Sequence, residues 1–326
     1  MLVQLGAGGL IAGLSALLLG CAESATIRRT EEHMGTIVTI TVGAGERRGA
    51  RAIDRAFQRI AEVDATLSHY EHSAELFILN RDGFLDHPSA MLVENLRASL
   101  SYARLTDGAF DITTLPILDL YDRSFAEKRI PTPEEIEIAR ELVDYRQIKL
   151  LDERIEIGAG QRITLGGIAK GYAVDLATTA LQDEGIGNAI VAAGGDMRVI
   201  GRKSDAEDWH IAIQNPRDPS DFVSRLRVPD RAVVTSGDYE RFYDPAREYH
   251  HIIDPATGRS ASSLISVTLI SKSAFEADAL STAAFVLGPE KGIALVESLD
   301  GVEALFITQS RRVIRSSGFV AYEDTQ

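Results

Sequence analysis

The chain has almost no cysteine. Cys21 is the only one in 326 residues, so no intrachain disulfide can staple the fold. Positive charge is also scarce: 34 Lys and Arg stand against 48 Asp and Glu, a formal net charge of −14. Basic residues occur only in short pairs such as Arg47-Arg48 and Arg311-Arg312. This balance excludes a general nucleic-acid binder. An anionic ligand must be met by local positive charge, a metal or backbone N–H groups, because the overall field repels it. Two nucleotide-binding signatures are missing as well. No glycine-rich loop ends in Gly-Lys-Ser/Thr, and Gly158-Ala159-Gly160 has Ile163 where the third glycine would stand. There is no internal repeat and no low-complexity linker. What remains is an ordinary globular composition, 45% apolar and 25% charged, long enough for one large domain or two modest ones.

Residues 1–22 carry no charge, and the stretch from Leu10 to Leu19 is mostly aliphatic. It is shorter than the roughly 20 apolar residues a spanning helix needs, and it reads as the core of a signal peptide. It ends Leu18-Leu19-Gly20-Cys21, which resembles the lipobox of bacterial lipoproteins. That resemblance implies cleavage before Cys21, lipidation of its thiol, and an exported protein anchored to a bacterial membrane on the periplasmic side. The absence of Lys or Arg before the apolar core departs from the pattern. No other segment reads as long and apolar enough to span a membrane. The expected organisation is a signal peptide over 1–20, a polar tether over 21–32, and one domain over 33–326.

Further on, helical and extended patterns are mixed. Gly35 to Val42 alternates β-branched residues with period two and predicts a strand. Glu46 to Thr66 places Ala52, Ile53, Ala56, Phe57, Ile60 and Val63 at helical spacing. Helices are also expected over 73–80, 89–105, 131–145, 171–184 and 273–287, with a second short one over 289–298. Thr132-Pro133-Glu134-Glu135 is a helix-start signal. Strands are expected over 147–151, 154–157, 189–193, 197–200, 209–213, 223–228, 232–235, 249–253, 264–270, 304–307 and 312–315. Ile163 to Lys170 reads as a strand running into a glycine-rich turn. The expected class is α+β, a mixed α/β fold with a largely antiparallel sheet core and flanking helices.

Four stretches carry candidate chemistry. On the helix from Ser273 to Leu287, Asp278 and Thr282 lie four apart on one face, with Ser281 close by. A carboxylate and two hydroxyls are hard oxygen ligands that suit Mg²⁺; the same trio could be mere solvated polarity. The loop Gly166-Gly167-Ile168-Ala169-Lys170-Gly171 opens a helix, where free N–H groups and Lys170 suit an anion; a tight turn with a surface lysine is the alternative. In His250-His251, an extended backbone would send the two imidazoles to opposite faces, one a candidate general base and the other solvated; for either alone a satisfied structural histidine is the alternative. Ser236-Gly237-Asp238-Tyr239 offers a hydroxyl and a carboxylate to a ribose or base edge, or simply begins a loop.

Together these pieces resemble the FAD:protein FMN transferase (ApbE-type) family, over about Met34 to Glu297. The motifs are Met34-Gly35-Thr36, Leu67-Ser68-His69-Tyr70, Gly108-Ala109-Phe110-Asp111, Gly166-Gly167-Ile168-Ala169-Lys170-Gly171-Tyr172-Ala173, Ala193-Gly194-Gly195-Asp196, Thr235-Ser236-Gly237-Asp238-Tyr239, His250-His251-Ile252-Ile253-Asp254-Pro255 and Ala277-Asp278-Ala279-Leu280-Ser281-Thr282-Ala283. Each alone is weak; eight in order are specific. The resemblance implies a Mg²⁺-dependent enzyme that takes FAD as substrate and transfers FMN to a Ser or Thr hydroxyl of an acceptor flavoprotein, releasing AMP. It implies FAD contacts at Met34, Tyr70, Ala109, Phe110, Asp111, Thr164, Lys170 and Ile252, with Ser236 and Asp238 as further candidates. Asp278, Ser281, Thr282 and the backbone oxygen of Gly167 would hold the metal. His251 would be the base. Thr164 departs from the family pattern, which has Asp there. The competing expectations are a Mg²⁺-dependent FAD pyrophosphatase and a flavin-binding lipoprotein without catalysis.

Overall fold

Alternating Val, Ile and Thr between residues 36 and 43 buries Val38, Ile40 and Val42 on one face, as period two requires. This strand lies one in from the edge of a sheet built from distant parts of the chain. The computed structural model describes residues 26–203 and 207–324. Cys21 and the apolar leader lie outside the described residues. In chain order the elements are β1 (Thr26–His33), β2 (Thr36–Gly43), α1 (Glu46–Leu67), α2 (Glu75–Asp82), β3 (Phe84–Asp86), α3 (Ala90–Leu105), α4 (Leu115–Ala126), α5 (Pro133–Arg140), β4 (Lys149–Leu150), β5 (Arg154–Glu156) and α6 (Ala169–Asp183). Then come β6 (Ala189–Ala193), β7 (Asp196–Ile200), β8 (His210–Asn215), β9 (Asp218–Arg227), β10 (Ala232–Gly237), β11 (Ile253–Asp254), β12 (Arg259–Ser260), β13 (Leu264–Ser271), α7 (Ala274–Glu297), β14 (Glu303–Thr308) and β15 (Val313–Arg315).

Eight strands form the main sheet in the order β1-β2-β6-β7-β10-β13-β14-β15. Every neighbouring pair is antiparallel, so the expected fold class holds. On one face, α1, α6 and α7 pack against the sheet and against each other. The stripe Ala52, Ile53, Ala56, Phe57, Ile60 and Val63 of α1 is buried there, and each of its larger side chains contributes about 1.5–3 kcal/mol. The opposite face carries a second core, in which Trp209, Ile211 and Ile213 of the β8–β9 hairpin meet Val233, Ile265 and Ile270. A third, smaller core joins α4 and α5 to Ile253, with Phe125, Tyr243 and Tyr249 packed on it.

α7 is apolar nearly all round because it is enclosed by α6, β10, β13 and β14. By length and composition it meets the criterion for a membrane-spanning helix, contrary to the expectation that no segment beyond the leader is long and apolar enough; here it is a core helix. Gly288, at φ 77° and ψ −178°, is non-helical and Pro289 follows it, so the run is two helices meeting at a kink, as the sequence predicted.

Three other expectations need correction. Thr26–His33 is not tether but the edge strand β1, fully paired with β2 from Thr26↔Gly43 to His33↔Thr36. Its charged, alternating sequence is what an exposed edge uses against stray pairing. Ile163 to Ile168 is not a strand. Its backbone is satisfied instead by the Asn80 amide, which both donates to the Ile163 carbonyl and accepts from its N–H, and by the Ile112 carbonyl, which accepts from Thr164. Tyr249 to Ile252 is likewise irregular: only the bridge Phe242↔His250 and the two-residue β11 are extended there.

Candidate active site

Antiparallel pairing brings one end of β2, β6, β7 and β10 to the same edge of the sheet. β1 turns into β2 at Met34-Gly35, both at positive φ. β6 turns into β7 at Gly194-Gly195, where a Cβ on Gly194 would sit 3.0 Å from Thr36 Oγ1. β10 ends at Gly237 beside them, with the Thr235 N–H donating to the Gly195 carbonyl. The N-terminus of α6 and the Asp278–Thr282 turn of α7 roof this edge. Met34 holds φ 53°, a left-handed conformation that costs a non-glycine residue about 1 kcal/mol. Its N–H is tied to Asp64 Oδ2 at 2.9 Å. Strain of this kind concentrates at functional sites.

Asp278, Ser281 and Thr282 converge as their spacing predicted, and Ser236 joins them from β10. Ser236 Oγ lies 2.8 Å from Ser281 Oγ and 3.4 Å from Thr282 Oγ1. Gly167 is pressed against the same cluster: a Cβ there would meet Thr282 Oγ1 at 3.0 Å and the Phe110 ring at 3.4 Å. The Asp278 carboxylate is buried. One oxygen accepts the Gly171 N–H at 2.9 Å, and the other lies 3.8 Å from Lys170 Nζ. Burial, then the neighbouring Asp196 charge, pushes its pKa up to about 7 against the pull of Lys170. Lys170 is no surface lysine. It donates to Asp196 Oδ2 at 2.7 Å. Burial works to lower its pKa, but Asp196 and Asp278 outweigh burial and hold the ammonium charged. Asp196 is the carboxylate that sequence reasoning passed over. Its only signal was the Gly-Gly-Asp turn after a short buried strand.

The two histidines divide as their neighbours dictate. His250 is buried rather than solvated, a structural histidine with both ring nitrogens satisfied. Its Nε2 contacts the Ala261 carbonyl at 2.9 Å and its Nδ1 faces the Ile252 N–H at 3.3 Å. A carbonyl only accepts and an N–H only donates, so this ring is neutral with its proton on Nε2. The His251 ring lies 3.0 Å from the Arg241 carbonyl through Nδ1. That carbonyl can only accept, so Nδ1 carries the proton and Nε2 keeps its lone pair. Burial is the main cause that lowers His251 from 6.5 to about 4, helped by the positive charges of Lys170 and Arg241. The imidazole is therefore neutral at pH 7, the form a base needs.

Other expected residues are placed as follows. Tyr70 is 62% exposed, with its ring 3.9 Å from that of His69 and its hydroxyl 3.1 Å from Arg241. Ala109 and Phe110 precede Asp111, whose carboxylate accepts from the Thr113 N–H and hydroxyl and from the Tyr145 N–H. That carboxylate holds a loop; burial raises its pKa. Thr164 Oγ1 accepts the Gly166 N–H at 3.2 Å, a local cap rather than a projecting charge. Ile252 is buried. Asp238 does not serve as a ligand contact. It is 0% exposed, with both oxygens clamped by Arg217 at 2.8 and 2.6 Å and a third bond from Gln309. β10 ends before it, so the alternation that aims Ser236 into the cluster no longer governs Asp238.

Among the described residues, no three His, Cys, Asp or Glu gather closely enough to hold a metal by themselves. What the sheet edge assembles is two buried carboxylates, three hydroxyls and a lysine, next to a neutral imidazole and strained Met34. Fold and cleft together define a flavin transferase of the ApbE type. The chain belongs to the ApbE family, whose model matches residues 34–306. It is 31% identical to the FAD:protein FMN transferase of Treponema pallidum, covering 92% of this chain and 90% of that one. It is 32% identical to the enzyme of the same name from Vibrio cholerae, covering 89% of this chain and 90% of the relative. Among solved structures, the ApbE protein of Thermotoga maritima superposes with a TM-score of 0.85 at 32% identity, covering 92% of this chain and all of that one. The flavin transferase ApbE of Vibrio cholerae gives 0.80 at 28% identity, covering 91% and 99%.

Proposed function

We propose that this flavin transferase moves the FMN half of FAD onto a Ser or Thr hydroxyl of an acceptor flavoprotein and releases AMP. The observation that carries the reading is His251, a neutral imidazole whose Nδ1–H is fixed by a backbone carbonyl. Nε2 takes the proton of the acceptor hydroxyl. The acceptor oxygen forms a bond to the FMN-side phosphorus, and the bridging P–O bond to the adenylate half breaks. Such a displacement needs alignment and charge neutralisation more than covalent help. Lys170 and the α6 N–H groups supply part of that neutralisation.

A divalent cation fits the remaining polar cluster. Asp278 is buried and crowded by Asp196, and the Ser281 and Thr282 hydroxyls lie 2.8 and 3.4 Å from that of Ser236. A single carboxylate and hydroxyls make a weak cage alone, which matches Mg²⁺, an ion that completes its shell with water and phosphate oxygens. Asp278, Ser281, Thr282 and the Gly167 carbonyl would hold it. When bound it would neutralise phosphate charge and stabilise the leaving AMP. FAD would lie along Met34, Tyr70, Ala109, Phe110 and Ile252. At the N-terminus, Leu18-Leu19-Gly20-Cys21 supports an exported form lipid-anchored through Cys21, facing the periplasm.

The test is incubation with FAD, Mg²⁺ and an acceptor domain, followed by mass spectrometry. Covalent FMN on the acceptor is expected. Free FMN and AMP without an adduct would show hydrolysis instead, and intact FAD would leave binding alone. Asp278→Ala should abolish metal-dependent turnover, while His251→Ala should keep FAD binding and lose transfer.

A further inference from the structure

We propose that Arg241 is a positioning residue that couples the flavin-side wall of the cleft to the base. The inference rests on the transferase reading above. Its ground is that one residue joins three separate pieces of the fold. The Arg241 carbonyl accepts twice from His251, from its N–H at 3.1 Å and its Nδ1 at 3.0 Å. The guanidinium of the same residue grips both oxygens of Asp122 on α4 at 2.7 Å, and reaches the Tyr70 hydroxyl at 3.1 Å. Such a fork holds two partners in fixed geometry at once, which a lysine cannot do.

The three pieces draw on two different cores. Tyr70 stands just beyond α1, whose buried stripe belongs to the main core, as do Ala277, Leu280 and Ala283 around the Asp278 turn. α4 and the segment carrying Tyr243 and Tyr249, which leads to His251, pack into the third core. The segment carrying the base thus bridges the two cores: Ile252, next to His251, packs into the main core with the Asp278 turn, while Tyr249 packs into the third. The bond from Arg241 to Tyr70 crosses between them on the exposed side of the cleft. Fixing the guanidinium fixes residue 241, and residue 241 fixes the imidazole. Base alignment is thus tied to the aromatic wall against which a flavin would lie.

The charge of Arg241 has its own effect. Burial is the main cause of the low His251 pKa, and the backbone bond to Arg241 opposes it. The facing cations, Lys170 and Arg241, depress it further. Removing the guanidinium moves His251 back toward 6.5. A residue with only a packing role would leave that pKa alone.

The experiment compares wild type, Arg241→Met and Arg241→Lys as full chains. FAD affinity is read by flavin fluorescence, folding by thermal melt, and transfer to an acceptor domain across pH. Arg241→Met is expected to bind FAD within about threefold of wild type. Its kcat should fall about tenfold to a hundredfold, the scale of a misplacement near 1 Å. The acid limb of its kcat profile should move upward. Arg241→Lys keeps the charge and loses the fork, so it should lose rate without moving the limb. An inactive His251→Ala beside an Arg241→Met with wild-type kcat and an unmoved limb would overturn the coupling alone. Normal transfer in both would overturn the base assignment beneath it.

Discussion

Adding one methyl group at Gly171 should separate activity from stability. α6 and α7 touch backbone to backbone there. A Cβ on residue 171 would lie 2.6 Å from the Ala274 carbonyl carbon and 2.8 Å from Asp278 Cβ, and closer still to the Ala274 oxygen. None of these is the movable end of a long side chain. The Ala274 carbonyl belongs to the first turn of α7, which Asp175 pins by accepting from the Ser273 hydroxyl and the Ala274 and Phe275 N–H groups. In Gly171→Ala the helices must part by about 1 Å, a strain typical of overpacking at about 1–3 kcal/mol. Alanine's better helix propensity returns about 1 kcal/mol. The net loss is then about 0–2 kcal/mol, a fall in Tm of a few degrees. The same movement breaks the 2.9 Å bond from the Gly171 N–H to Asp278 and displaces Asp278 relative to Lys170. A shift near 1 Å at such a group can cost about a hundredfold in rate. The assay pairs a thermal melt with initial rates of FMN transfer, using Gly187→Ala as control because nothing lies within 4 Å of a Cβ there. A Gly171→Ala enzyme with wild-type rate would refute the packing argument. So would one whose rate falls only in step with its folded fraction.

Met34→Asn exchanges a bulky residue at φ 53° for one that tolerates that region. About 1 kcal/mol of relieved strain should offset the lost apolar contact, so Tm stays near wild type while FAD binds more weakly in a fluorescence titration. Equal FAD affinity would remove Met34 from the flavin wall. Asp238→Asn leaves Arg217 without its buried partner and should cost about 3 kcal/mol by denaturant melt, yet FAD affinity of the folded protein should hold. A clear loss of affinity would restore Asp238 to the site. Because His251 is lowered from 6.5 to about 4, its neutral form persists on acidification. At saturating Mg²⁺, which would hold Asp278 ionised, transfer should fall only as pH drops through about 4, and a rate already halved at 6.5 under those conditions would contradict the lowered pKa of the base.

Much of the site was legible because local periodicity does not depend on tertiary context. Asp278, Ser281 and Thr282 share a helix face whatever the helix packs against, and the buried stripe of α1 lies where its spacing put it. Partners supplied from elsewhere in the chain were not legible. Nothing local links Lys170 to Asp196, Asp238 to Arg217, or Arg241 to Asp122 and Tyr70. Hence Lys170 could be read as a surface charge and Asp238 as a ligand contact. The strand expected at Ile163 failed for a related reason. Buried Ile163, Leu165 and Ile168 give a strand-like apolar signal, but a side-chain amide and a loop carbonyl replaced the ladder. β1 was missed in the opposite direction, since an edge strand needs charge more than it needs a hydrophobic face. α4 gave little warning, because it packs with α5 in a small core of its own rather than on the main sheet.

The pairing of β2 with β6, Val38 opposite Ala193, sets an order of assembly. Everything between those strands must be made, and its loop closed, before the second side of β2 finds its neighbour. During synthesis from the N-terminus, the β1–β2 hairpin stands with an open apolar edge until β6 emerges. That interval exposes the chain to association with other copies. FAD cannot shorten it. The residues that would hold the flavin run from Met34 to Ile252, and those placed around its phosphates extend to Thr282, near the middle of the last core helix. The first hairpin made is the one that waits longest, and the flavin can be gripped only once α7 is in place.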